Sequence, residues 1–244
     1  METRLPLDIL PQPTLTTCGP TCLHAVYGYY GDTLPLDEVI AGVSALEDGG
    51  TLAVELGRHA LRRGYNATIR TLNLQVFDPS WFSAEGGPQV DLAEKLRAQR
   101  KAKTSQKLRG AIDAYLDYLA LGGALRMENF SAHLLRTLLS AGTPILAGLS
   151  ATWLYGSARE HGPDCEYDDV RGEPSGHFVV LAGYDRAERK IDVADPYLPN
   201  PLAGRHHYRV DTGRVLAAIH LGILTYDANL LTVEPPDGDP RRRR

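Results

Sequence analysis

The sequence predicts an α+β fold, with helices gathered in the first part of the chain and an antiparallel sheet in the second. Two observations carry this expectation. Residues 18–63 place apolar side chains at helical spacing and are punctuated by Gly31 and Gly64. Residues 177–196 read HFVVLAGYD and KIDVADP around the short turn RAER, which is a hairpin signal. Helices followed by antiparallel strands favour α+β over a doubly wound parallel sheet. With 244 residues, 43% of them apolar, the chain is long enough to bury a core of its own.

Each element has a local reason. Thr16 and Thr17 are good caps for a helix over residues 18–30, Pro20 is tolerated in its first turn, and Gly31 stops it. Cys18, Cys22, Val26 and Tyr29 or Tyr30 recur on one face, which must pack inward. Residues 36–43 and 51–63 read as two further helices, and 66–72 as a short strand. Residues 73–90, with Pro79, Gly86, Gly87 and Pro88, are loop-like. Residues 91–119 read as charged helix broken near Thr104 and Ser105, with KLRAQRKAK facing water. Ser131 caps the helix AHLLRTLLSAG, and TPILAGLS has the composition of a buried strand. Residues 151–176, rich in Gly and Pro, form a long loop of the kind that carries function. The hairpin follows, and RHHYRV and residues 221–233 supply more strand. These elements make one domain over residues 1–236, with a helical insertion at about 73–127 and a disordered basic tail at 237–244.

Charge and cysteine content exclude several classes. The net charge of −4 includes the four terminal arginines, so the rest of the chain stands at −8. An acidic body disfavours nucleic acid as a partner. Neither a membrane span nor a signal peptide is evident, and three cysteines are too few for a disulfide framework, so a cytoplasmic location is expected. Oligomeric state is not legible.

The stretch TTCGPTC puts Cys18 at the start of a helix, where free N–H groups and the positive end of the helix dipole favour an anion. A thiolate there is usable near neutral pH. Cys22, one turn further in, reads as a small buried residue. A thiolate attacking a carbonyl needs an imidazole partner, a group to orient it, and donors for the oxyanion. Tight pairing about RAER sets partners whose numbers sum to roughly 372–375, which puts His177 opposite Asp195 or a near neighbour. Asp192 falls nearer the turn, and Asp185 belongs to the turn itself. Gln12, six residues before Cys18, has an amide that can donate to the oxyanion beside the Cys18 N–H. Cys18, Cys22, His24 and the pair His206–His207 are metal-ligand types, but their spacing is not that of a zinc site. His161 and Cys165 lie in the long loop, exposed or as part of a lid.

Gln12 followed by CGPTCLHAVYGYYG, then GHFVVLAGYD and VADPY, resembles the papain-like cysteine peptidases, in particular the bacteriocin-processing (double-glycine leader) peptidases and their stand-alone relatives. The likeness spans residues 9–40 and 131–200. It implies a papain-like fold, a nucleophile helix packed on the sheet, with Cys18 as nucleophile, His177 as base, Asp195 as its orienter and Gln12 in the oxyanion hole. It also implies a peptide substrate, a thioester intermediate and no cofactor. The separation of 159 positions from Cys18 to His177 exceeds what compact members need, which implies the insertion. No transporter segments are evident, so cleavage after a double glycine does not follow. The same residues also serve an acyltransferase or transpeptidase with an amine acceptor, and a non-catalytic peptide-binding module is the reading from another class.

Overall fold

A run such as ILAGLS has no polar face to turn toward water, and it needs cover on both sides of its sheet. The computed structural model, which describes residues 2–45, 50–225 and 228–243, supplies that cover. In chain order the elements are β1 (Glu2–Arg4), α1 (Cys18–Tyr29), α2 (Leu36–Gly42), α3 (Ala53–Arg62), β2 (Asn66–Thr71), α4 (Leu92–Ala102), α5 (Gln106–Ala120), β3 (Ala124–Arg126), α6 (Ala132–Ser140), β4 (Ile145–Ser150), α7 (Ala151–Tyr155), β5 (Glu160–His161), β6 (Glu166–Tyr167), β7 (Gly176–Asp185), β8 (Lys190–Ala194), β9 (His207–Asp211), α8 (Thr212–Leu221) and β10 (Asn229–Glu234). Short 3-10 turns cover Pro79–Trp81, Gly222–Thr225 and Pro240–Arg243.

The main sheet runs β3-β2-β10-β4-β7-β8-β9, and β1 pairs with β7 beyond the end of β4. Its central strands divide their side chains between two layers. Phe178, Val180 and Ala182 of β7, with Leu146 of β4, pack with α1, α3 and α5. Val179 and Leu181, with Ile145, Ala147 and Leu149, pack with α6 and α8. Each fully buried Leu or Val contributes about 1.5–3 kcal/mol. The sheet is antiparallel throughout except for β2 and β3, which are parallel. That pair departs from the expected all-antiparallel sheet because residues 72–123, with α4 and α5, make the crossover a parallel pair requires.

Capping explains the helix boundaries. Asp91, Ser105 and Ser131 accept the backbone N–H three residues on, at 2.9, 3.3 and 3.2 Å, opening α4, α5 and α6. Lys95, Arg97, Arg100, Lys101 and Lys103 face water, as their charge dictates. Helix α5 is different: Ile112, Tyr115 and Tyr118 are buried, and the Tyr118 hydroxyl donates to the carbonyls of Ala67 (2.7 Å) and Ala124 (2.9 Å), tying β2 to β3. At the C-terminus Arg241 pairs with Asp239 at 2.7 Å and reaches the Tyr65 hydroxyl at 3.1 Å; Arg244 lies outside the described residues.

Residues 151–176 differ from the expected loop. Ser150 caps α7 through Trp153 N–H (3.3 Å), Gly156 ends it at φ +69°, and β5 and β6 then pair as a small ribbon. Glycines and prolines at the ends of short elements concealed them in the sequence. Thr152 and Ser175 fasten the base of this excursion, with Ser175 N–H on Thr152 Oγ1 (3.0 Å) and Ala151 N–H on Ser175 O (2.9 Å).

Close packing at Gly57 predicts opposite effects for two substitutions. A methyl on Gly57 meets Tyr118 Cε2 at 2.7 Å, so Gly57→Ala lowers the unfolding free energy by about 1–3 kcal/mol. Gly28, exposed on α1 with nothing within 4 Å, gains about 0.5–1 kcal/mol as Ala. Urea denaturation of the two variants checks both signs.

Candidate active site

Cys18 is the first residue of α1 and is 7% exposed. The preceding threonines leave the helix start uncapped. Thr17 Oγ1 accepts from Thr14 N–H and donates to Thr14 O, both at 3.0 Å, and makes no cap. The positive end of the helix dipole is therefore presented at the sulfur without a competing side-chain oxygen from Thr17.

His177 is the second residue of β7, also 7% exposed. Its Nε2 lies 2.9 Å from Asp195 Oδ1, and its ring also hydrogen-bonds Cys18, which leaves Nδ1 as the nitrogen facing the sulfur. Burial alone favours the neutral ring. The negative charges of Asp195 and Cys18, and the hydrogen bonds to both, outweigh it and push the His177 pKa from 6.5 up to about 10.

Asp195 has no solvent exposure. Its Oδ1 accepts from His177 and from the Tyr197 N–H (2.9 Å), and its Oδ2 from the hydroxyls of Tyr155 (2.9 Å) and Tyr208 (2.5 Å). Burial pulls its pKa upward, but His177 and these donors hold it below the usual carboxylate value. The backbone completes the seat: Asp195 N–H donates to His206 O (2.8 Å), and His206 Nδ1 lies 2.6 Å from Asp195 O.

The contact to His177 joins Asp195 to a near neighbour of the residue directly opposite it, within the expected range of pairings. The β7–β8 ladder runs Val180↔Ala194 and Leu181↔Val193, then shifts by one at a bulge before Gly183↔Asp192. Continued by one step, the register would set Asp195 against Val179, so His177 is its diagonal neighbour, two residues along. Asp195 reaches it because the chain leaves the ladder after Ala194 and turns through Pro196. Asp192 faces Gly183 and pairs with Arg209 at 2.9 Å, away from His177. Asp185 takes the N–H groups of Ala187 and Glu188 in the turn.

Gln12 is half-buried. Its backbone N–H donates to Pro196 O (2.9 Å), which fastens the loop before Cys18 to the loop after Asp195. Its side-chain Nε2 donates one hydrogen to Thr14 O (2.9 Å), and its buried Oε1 has no hydrogen-bond partner among the described residues. Cys22 is fully buried with its sulfur 3.2 Å from Phe178 O, and burial, then the charges of Cys18 and Asp195, raise its pKa far above the ordinary thiol value. It is a packing residue. Cys165 is partly exposed and His161 exposed, both in the β5–β6 ribbon. Among the described residues no three His, Cys, Asp or Glu side chains converge to hold a metal ion, and no helix is long and apolar enough to cross a membrane.

Tyr155, Tyr197 and Tyr208 escaped the reading of the sequence. Tyr197 lies edge-on to His177, centroids 6.2 Å apart, and Tyr155 is 6.1 Å away. Tyr208 carried a usable signal: in RHHYRV it alternates inward with Val210. Tyr155 carried none, because its helix was not recognised.

The Peptidase_C39 like family matches residues 4–215 of the chain. No curated protein matches it. Among solved structures, a C39-like peptidase from Bacillus anthracis is 13% identical with a TM-score of 0.52, over 96% of this chain and 97% of that one. Xylellain, a cysteine protease from Xylella fastidiosa, is 15% identical (TM-score 0.45; 96% and 86% covered). A double glycine motif protease from an AMS/PCAT transporter, in complex with the leader peptide, is 14% identical (TM-score 0.45; 96% and 95% covered). The family match extends over most of the sequence and takes in Gln12, Cys18, His177 and Asp195, and the chain belongs to the Peptidase_C39 like family of cysteine peptidases.

Proposed function

We propose that the chain hydrolyses peptide bonds through Cys18, His177 and Asp195, with Gln12 assisting. The observation that supports this best is the placement of one imidazole in contact with both Cys18 and the buried Asp195 carboxylate. Cys18 and His177 form a thiolate–imidazolium pair. The sulfur attacks the scissile carbonyl, and the oxyanion is met by the Cys18 N–H and by the second amide hydrogen of Gln12, the first being engaged by Thr14. As the sulfur becomes a thioether-like centre, His177 loses a negative neighbour. Its proton affinity falls, and it protonates the leaving amine. A water, deprotonated by the now neutral His177, then attacks the thioester and releases the acid. Asp195 keeps the ring oriented throughout.

We take residues 1–236 as one peptidase unit, with residues 73–127 an insertion that braces the β2 edge, and a peptide or protein as substrate. Three free cysteines accord with a reducing, cytoplasmic setting.

Cleavage profiling of a peptide library tests the reading. Cys18→Ala and His177→Ala lose about 10⁴-fold or more in kcat/KM. Ligated product without hydrolysis, when amines are supplied, would instead assign an acyltransferase, and an active Cys18→Ala would remove the nucleophile. Asp195→Asn keeps part of its activity. The Tyr197 N–H can only donate, so it directs the amide oxygen to the Oδ1 position, where it still accepts from His177, while the tyrosine hydroxyls turn to accept from the NH₂ group.

Gln12→Ala lowers kcat by about 10²-fold with KM little changed, read from initial rates. The acting form of His177 is the imidazolium, so kcat/KM holds through neutral pH and falls as pH rises through about 10. A profile that falls near 6.5 instead would show that Asp195 and Cys18 do not hold the proton there.

A further inference from the structure

A carboxylate with no exposure is stable only where donors replace its lost water. On Asp195 the two oxygens are served separately. Oδ1 has His177 and the Tyr197 N–H; Oδ2 has two phenols, Tyr155 from the end of α7 and Tyr208 from the middle of β9. A carboxylate held by a single partner can rotate about Cβ–Cγ and exchange its oxygens. Here rotation would break charge-assisted bonds to elements on three sides.

We infer that the hydroxyls of Tyr155 and Tyr208 are positioning groups that keep Asp195 ionised and fix the rotation of its carboxyl, reserving one oxygen for His177. The inference rests on the peptidase reading, since it matters to turnover only if His177 serves Cys18. The other titratable groups around Asp195 are His177 on β7, Cys18 and Cys22 on α1, Tyr197, and His206 before β9. Burial drives the Asp195 carboxyl toward its neutral form, and each phenol opposes that drive. Without them the carboxyl gains a proton more readily and its oxygens are free to exchange, so His177 is held less firmly in the orientation that serves Cys18.

The test is a ¹³C NMR titration of the Asp195 carboxyl carbon in the full chain, with kcat and KM measured alongside. Tyr155→Phe and Tyr208→Phe each move the carboxyl ionisation up by about one pH unit, and the double variant moves it further. Each lowers kcat about tenfold while KM holds. In an Asp195→Asn background, where the hydroxyls accept from the amide but sustain no charge, the same changes lower kcat by less than in the wild type. Folded variants whose carboxyl titrates at the wild-type pH overturn the inference, as does an equal loss of kcat in both backgrounds. If a phenylalanine variant fails to fold, 3-fluorotyrosine at that position, nearly isosteric and a stronger donor, moves the ionisation down; an unmoved ionisation again overturns it. The titration needs no turnover, so an active Cys18→Ala would sink the peptidase reading and leave this inference to be judged separately.

Discussion

The site depends on one buried charge. Asp195 lies at the meeting point of β7, α7, β9 and the loop after β8, and each contributes a donor to it. None of those donors is local to Asp195 except the Tyr197 N–H. The carboxylate therefore works as a tie between parts of the chain that are remote in sequence: residues 155, 177 and 208 meet on two oxygen atoms. Leaving such a group unpaired in the interior costs several kcal/mol, so the elements that surround it have a shared reason to sit where they do.

The double-sided sheet gives that tie its rigidity. Strands β4 and β7 are covered by helices on both faces, and their alternating side chains interlock with two separate layers. His177 sits one residue inside the end of β7, where Leu149 still faces it in register. It inherits the fixed backbone of a central strand while its ring reaches beyond the ladder. Cys18 has the corresponding position on α1, at the first residue of a helix whose next turn is anchored through Cys22 to Phe178. Cys18 and His177 thus lie at or next to the ends of elements held by packing.

Much of this was legible because it depends on local chemistry. The start of α1 follows from Pro20 and the apolar face, and its end from Gly31; Asp91, Ser105 and Ser131 announce the helices they cap; RAER announces a hairpin. The pairing of His177 with Asp195 could be argued from spacing, and the resemblance to a family joined Cys18 to them. The observed register falls within the expected pairings, but its bulge was not legible: it adds a residue between Leu181 and Gly183, and Gly183, where a Cβ would lie 2.5 Å from Asp192 Oδ2, makes a contact between strands that no single segment reveals. Helix α7 was obscured for a similar reason: five residues of helix among glycines and prolines are stabilised by Ser150 and by packing on α8, and carry no periodicity of their own. The parallel β2–β3 pair was hidden because the sequence shows a crossover only as an interval.

The excursion between α7 and β7 leaves and rejoins the sheet through Thr152 and Ser175, and its outer half hydrogen-bonds to itself through Glu160 and Glu173. Beyond that neck its strands β5 and β6 pair with each other and belong to no layer of the main sheet. A change of length or composition there would leave the ladder of the main sheet, and with it the seats of Cys18, His177 and Asp195, in place.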